Sequence, residues 1–233
     1  MEQRRDSATA YIILADGFET IEALTPLDVL RRCGVEVTTI SLNQTRAVRA
    51  SHGVTVEADA TMEEYLLKCS NAGSSTGASS TGSGTCTSNA GSSAGASDTN
   101  TTASTSTNVS GTMRQALILP GGYPGYKNLC DSPEVGALIT QFHKEGKLLC
   151  AICGAPTALK ANQICRGAAI TCHTSVKEEL SDYYSILSSA VVKYMNIITG
   201  MGAGRSLDFA FAIAESLTSK EKVEEIKAKM EII

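Results

Sequence analysis

Cys153 closes an apolar run, Leu148 to Ile152, and is flanked by Ala151, Gly154 and Ala155. Pro156 and a helix-compatible stretch, Thr157 to Ala161, follow it. Small residues on both sides of a nucleophile are what a sharp strand-to-helix turn requires, because larger side chains would collide there. At such a turn the thiol faces the N-terminus of the next helix, whose unpaired N–H groups favour thiolate over thiol. The competing reading is a buried strand cysteine, since free Cys is among the most buried residue types. Three other places carry groups that could serve a thiol nucleophile. Glu19 and Glu22 follow the apolar run Ala10 to Leu14, Gly121 and Gly122 follow Gln115 to Leu119, and His173 follows Ala168 to Thr171.

These groups work together only if the runs before them are neighbouring strands. The rest of the pattern predicts that. A helix is expected from Thr20 to Cys33, closed by Gly34, then a β-rich run from Val35 to Leu42. Val48 and Val54 to Val56, around Ser51, His52 and Gly53, read as a small hairpin. Thr61 and Glu64 form a capping box for a helix over Glu63 to Lys68. Ser132 and Pro133 open a helix to about Glu145, with Pro at its first position. Ser175 and Glu178 have the spacing to cap another helix, a strand is expected from Tyr194 to Thr199, and helices from Arg205 to Leu217 and from Thr218 onward. Near-continuous apolar strands alternating with amphipathic helices predict an α/β three-layer sandwich: a mostly parallel sheet with helices on both faces, flavodoxin-like or class I glutamine amidotransferase-like. Ligands bind such sheets beyond the carboxyl ends of the strands. An acid, a Gly-Gly turn, a thiol and an imidazole at four strand ends then converge, and the convergence favours the reactive reading of Cys153.

Composition narrows the classes. A net charge of −4 over 233 residues gives no nucleic-acid footprint. No apolar run reaches the roughly 18 residues of a membrane span, and the charged start is not a signal peptide, so a cytoplasmic location is expected. Eight scattered cysteines without secretory context read as reduced thiols. Cys150 and Cys153 have redox C-x-x-C spacing, but Cys150 falls inside the apolar run instead of beyond it. No spacing calls for a metal or a cofactor. Gly200, Gly202 and Gly204 come too late for a dinucleotide loop and read as a turn. His52 and His143 read as surface residues, and no late His-x-Glu pair supports an amidotransferase. Ser70 to Thr112 is almost wholly Ser, Thr, Gly, Ala and Asn, with Asp98 its one charge. It is expected to be a disordered loop, with Cys86 exposed, inside one domain spanning 1–233.

Ala15 to Glu22, Pro26 to Arg32, Leu119 to Gly122, Ala151 to Thr157, Thr171 to His173 and Ser206 to Ala214 occur in an order that resembles the DJ-1/ThiJ/PfpI superfamily. The likeness is to the branch of the Parkinson-disease-associated protein deglycase and glutathione-independent glyoxalase. It implies that Cys153 is an oxidation-sensitive nucleophile, that Glu22 hydrogen-bonds its thiolate, and that His173 stands nearby. It further implies that Gly121, Gly122 and Gly154 line the oxyanion and substrate site, and that the chain forms a homodimer. The implied activity converts small α-oxoaldehydes such as methylglyoxal or glyoxal to 2-hydroxy acids without glutathione, or removes glycation adducts, in oxidative and carbonyl stress defence. The implied alternative is a non-enzymatic redox sensor or chaperone whose Cys153 oxidises to sulfinate. Gly154 stands where the protease-named branch carries histidine, which argues against a proteolytic dyad. Tyr123, Pro124 and Met201 also depart from the family pattern around the pocket, and Cys150 and Cys172 are extra thiols.

Overall fold

The computed structural model describes residues 8–73 and 114–232. The expected disorder of 74–112 and the expected exposure of Cys86 lie outside the described residues. Residues 70–73, expected to start that loop, are helical instead, because the helix that opens at Met62 runs on to Gly73.

The chain alternates strands and helices: β1 (Thr9–Leu14), α1 (Thr20–Arg32), β2 (Glu36–Ser41), a hairpin of β3 (Ala47–Arg49) and β4 (Thr55–Glu57), then β5 (Ala60–Thr61) and α2 (Met62–Gly73). Next come β6 (Gln115–Leu119), α3 (Gly125–Asp131), α4 (Pro133–Lys144), β7 (Leu148–Ile152) and α5 (Pro156–Ala161). The last part holds β8 (Ala169–Ile170), α6 (Lys177–Leu180), β9 (Ser185–Ile186), β10 (Val191–Tyr194), β11 (Ile197–Gly200), α7 (Ser206–Leu217) and α8 (Lys220–Lys229). The main sheet has the order β10-β11-β7-β6-β1-β2-β5, parallel throughout except for β10 at one edge. The four runs that precede the chemical residues are thus mostly central: β7, β6 and β1 are adjacent, and β8 lies in a small separate sheet.

Strand alternation sorts the core into two layers. Ile12, Leu14, Ile118, Cys150, Ile152 and Ile198 face α1, α7 and α8, where Val29, Leu30, Phe209, Ile213 and Val223 pack against them. Ile13, Leu117, Leu119, Leu149, Ala151 and Ile197 face α3, α4, α5 and α6, meeting Leu129, Ile139, Phe142, Leu159 and Leu180. Both faces of the sheet are covered by helices, which is the three-layer arrangement expected.

Local chemistry sets several boundaries. Thr61 and Glu64 make the reciprocal capping box, with Glu64 Oε2 accepting from Thr61 N–H at 2.8 Å and Thr61 Oγ1 from Glu64 N–H at 3.2 Å. Ser132 Oγ accepts from Val135 N–H ahead of Pro133. Two expectations shift. The strand expected from Tyr194 to Thr199 is two antiparallel strands, β10 and β11, because Met195 turns the chain at φ 51°. The last helix is capped by Ser219, not Thr218.

Candidate active site

Cys153 sits at φ 65°, a left-handed conformation that costs an L-residue roughly 1–2 kcal/mol. The surroundings fix it there. Its N–H donates to Gly200 O at the end of β11, and its C=O accepts from His173 N–H at 2.9 Å. The next carbonyl, of Gly154, accepts from Thr157 Oγ1 at 2.8 Å. Cys153 is therefore the strained elbow the small flanking residues implied. Gly154 has no room for a side chain, since a Cβ would stand 2.7 Å from the Tyr126 ring. That ring is the physical reason a histidine does not fit after Cys153 here.

Glu22 is fully buried one turn into α1. Glu19 plays a different part: it caps the helix, its Oε2 accepting from Glu22 N–H at 2.8 Å. Glu22 Oε2 accepts from Gly121 N–H at 2.9 Å, and its carboxyl hydrogen-bonds the Cys153 thiol. Cys153 Sγ and Glu22 Oε2 both crowd Gly121, where a Cβ would stand 3.1 and 2.6 Å from them. The N–H groups of Gly122 and Gly154 point at the sulfur. Gly122 adopts φ 90°, and a Cβ on it would stand only 2.5 Å from Gly17 O. Of the three glycines expected to bind an anion, Gly122 and Gly154 keep free N–H groups. The N–H of Gly121 is committed to Glu22, so it orients the acid instead.

The electrostatics differ from the sequence expectation. Burial, then the Glu22 carboxylate beside it, pushes the Cys153 thiol up to about 12, against the pull of the two glycine N–H groups. The helix that follows has only six residues and no side-chain cap, so its dipole is too weak to reverse this. Burial likewise raises Glu22 from 4.5 to about 7. Between those values the two groups share one proton and one negative charge. Their titrations belong to the pair. The form with the proton on Glu22 and the charge on sulfur is the nucleophilic one, and it is the form the Gly122 and Gly154 N–H groups stabilise.

His173 reaches Cys153 through its backbone. Its ring is exposed, and among the described residues no hydrogen bond joins it to Cys153 or Glu22. Ser175 N–H donates to His173 Nδ1 at 3.2 Å, so Nδ1 is an acceptor and the neutral ring carries its hydrogen on Nε2. Ser175 Oγ lies 2.8 Å from the same nitrogen. Ser175 therefore holds His173 and does not cap a helix with Glu178, as its spacing predicted.

The other candidates separate from the site. Cys150 is buried in the core, its thiol pushed up by burial, and Cys172 is buried on the opposite face of the sheet. The seven cysteines within the described residues are free thiols. His52 lies exposed on the hairpin, whereas His143, expected at the surface, is half-buried with Nε2 3.8 Å from Cys165 Sγ. Among the described residues no three His, Cys, Asp or Glu side chains converge as a metal would need. No helix there is long and apolar enough to cross a membrane. Grooves of about 730 and 560 Å³ open elsewhere, one beside Cys130 and Asn162 and one beside Leu66 and Leu67. Tyr126, whose ring meets Gly154, and Lys127, whose Nζ lies 5.6 Å from the centre of that ring, were not singled out from sequence. The signal was the pair of tyrosines after the Gly-Gly turn, whose ring centroids lie 6.3 Å apart.

Known proteins share this arrangement of chain. Residues 8–216 match the model of the DJ-1/PfpI family. Protein dj-1beta of Drosophila melanogaster is 31% identical over 221 residues, covering 94% of this chain and 95% of the relative. The glutathione-independent glyoxalase DJR-1.2 of Caenorhabditis elegans is 38% identical over 107 residues, covering 46% of this chain and 56% of its own. The crystal structure of Drosophila melanogaster DJ-1beta superposes with a TM-score of 0.75 at 29% identity, over 97% of this chain and 99% of that one. With a matching fold, a family model over most of its length and full-length relatives, the chain belongs to the DJ-1/PfpI family.

Proposed function

We propose that the chain is a cysteine-dependent enzyme that converts small α-oxoaldehydes such as methylglyoxal and glyoxal to 2-hydroxy acids without glutathione. The observation that carries this is the buried Glu22 carboxyl against Cys153 Sγ, with the N–H groups of Gly122 and Gly154 aimed at the same sulfur. Moving the shared proton to Glu22 frees the thiolate, which adds to the aldehyde carbon. The oxygen that gains charge is held by the Gly122 and Gly154 N–H groups, in the manner of an oxyanion hole. Glu22 gives it the proton, leaving a neutral hemithioacetal and a carboxylate. That carboxylate then removes the hydrogen from the former aldehyde carbon and returns it to the neighbouring carbon, while the hydroxyl proton passes from the former aldehyde oxygen to the ketone oxygen; the hemithioacetal becomes a thioester of the 2-hydroxy acid. Water releases the acid and restores the thiol. We assign these transfers to Glu22, a choice supported by His173 Nδ1 already accepting from Ser175 N–H. Deglycation would apply the same addition to glycated thiols or amines.

The test is lactate formation from methylglyoxal by wild type, Cys153→Ser and Glu22→Ala. Lactate from wild type alone is the expected result; wild-type lactate no higher than in Cys153→Ser would sink the enzyme reading. In the sensor reading, peroxide yields sulfinate first at Cys153, where the same two N–H groups would hold its oxygens. Intact-mass analysis separates that outcome. The homodimer implied by the family belongs to this proposal. Ile21 on α1 and Leu207 on α7, exposed apolar side chains on helices that pack together, are the surface a second copy would cover.

A further inference from the structure

An imidazole and a thiol also meet away from the elbow. His143 lies in the last turn of α4 and Cys165 in the connection from α5 to β8, with Sγ 3.8 Å from His143 Nε2. α4 leads into the start of β7, whose five residues run about 17 Å to the elbow. The pair therefore sits at the opposite end of the strands from Cys153. Cys165 is partly exposed, and it adopts φ 46°, a left-handed conformation that disfavours any side chain. Non-glycine residues held in this way cluster at functional sites.

The ring has one partner, and that partner is sulfur. His143 Nδ1 is buried with no hydrogen-bond partner among the described residues. A hydrogen there would be a buried donor without an acceptor, which native structures rarely tolerate. The neutral ring thus carries its hydrogen on Nε2, facing Sγ. A donor aimed at sulfur favours thiolate over thiol. Burial acts the other way and pushes the Cys165 thiol up, so the imidazole is what sets it apart from other half-buried cysteines. The remaining charged and titratable neighbours are engaged elsewhere or face solvent. Tyr184 donates its hydroxyl to Ile164 O at 2.7 Å, Arg166 stands 5.5 Å from the Tyr183 ring centre, and Asp182 pairs with Lys160. Lys144 and Glu145, next along from His143, are exposed.

We infer that Cys165 is a second reactive thiol, held ready by His143 Nε2–H, which takes up a small-molecule disulfide as a mixed disulfide. Cys153 has two backbone N–H groups that could hold sulfinate oxygens, whereas Cys165 has a single donor, which suits disulfide exchange better. The thiol gives its proton to solvent, and the thiolate attacks one sulfur of the disulfide. A new S–S bond forms as the old one breaks, the electron pair leaves on the other sulfur, and that sulfur takes a proton from water. One small thiol is released, and the incoming disulfide is the oxidant. None of this depends on what Cys153 does.

Dithiodipyridine, a neutral aromatic disulfide, tests this, with labelling at each cysteine read by peptide mass from pH 6 to 10. At pH 7 the rate at Cys165 is expected to be about tenfold higher in wild type than in His143→Phe, whose rate curve should lie about one pH unit higher. His143→Gln keeps an N–H where Nε2–H stands and should restore the wild-type curve. A His143→Phe curve that matches wild type overturns the inference. So does a loss by the same factor at every pH, or a His143→Gln variant no better than His143→Phe. Should the variants not fold, wild type decides alone. Cys130 is also half-buried and pushed up by burial, but the side chain beside it is the Thr157 hydroxyl, not an imidazole. Cys165 labelled about tenfold faster than Cys130 at pH 7 supports the inference, and equal or slower labelling overturns it.

Discussion

Replacing Glu22 with glutamine should change how stability depends on pH, by an amount the structure sets. Burial is the main cause of the rise in Glu22 from 4.5 to about 7, opposed by its hydrogen bonds to Cys153 and Gly121. The folded state therefore binds this proton more tightly than the unfolded chain. The stability so gained is complete below about pH 4.5 and is lost as pH rises through about 7. The interval between 4.5 and about 7, at roughly 1.4 kcal/mol per pH unit, amounts to about 3 kcal/mol. The Glu22→Gln variant keeps an acceptor for Gly121 N–H but has nothing to titrate at this position. Urea unfolding of both proteins from pH 4 to 8 should show wild type losing about 3 kcal/mol more than the variant, most of it between pH 5 and 7. Exposed carboxylates lowered by partners, such as Glu64 beside Arg46, act in the opposite direction but equally in both proteins. Cys153 titrates above this range. Parallel stability curves would refute the account of a buried carboxyl whose proton is held by desolvation.

Three further outcomes follow from packing. Cys153→Gly should be more stable than Cys153→Ala by about 1 kcal/mol in thermal unfolding, because only glycine relaxes the left-handed elbow. Equal stabilities would mean that the elbow stores no strain. Gly154→Ala should cost about 1–3 kcal/mol by pressing on the Tyr126 ring, and adding Tyr126→Ala should recover part of that loss. A double-mutant cycle with no coupling would disprove the contact. Phe209→Ala, which empties a fully buried position between α7 and the sheet, should cost about 3–5 kcal/mol of unfolding free energy, read from urea denaturation.

The frame was legible in the sequence because burial writes itself into periodicity. β6 is the apolar run Gln115–Leu119, and α1 and α4 lie within a residue or so of their capping and breaking residues. The site was legible for a related reason: each chemical group stands just past such a run, and a parallel sheet brings those ends together. Tertiary competition hid the rest. Ser175 has capping-box spacing, but its N–H and hydroxyl serve His173, a partner no local pattern reveals. Met195 breaks a β-rich run with a positive φ that its residue type does not advertise. The direction of the Cys153 shift was also out of reach. Helix-terminus chemistry is visible in sequence, while burial by the sheet and by Glu22 from a distant strand end is not.

The way the chain re-enters the sheet has a practical consequence. Arg114 leads into β6 at the end away from Gly121, held by Thr9 N–H on its carbonyl and by its own guanidinium on Thr218 O at 2.8 Å. The five residues of β6 then carry the chain about 17 Å to the Gly-Gly turn. Arg114 thus stands a full strand's length from the Gly-Gly turn beside Cys153. For an engineer this is a port: a reporter group or immobilisation handle attached at Arg114 would be held a strand's length away from the Gly-Gly turn.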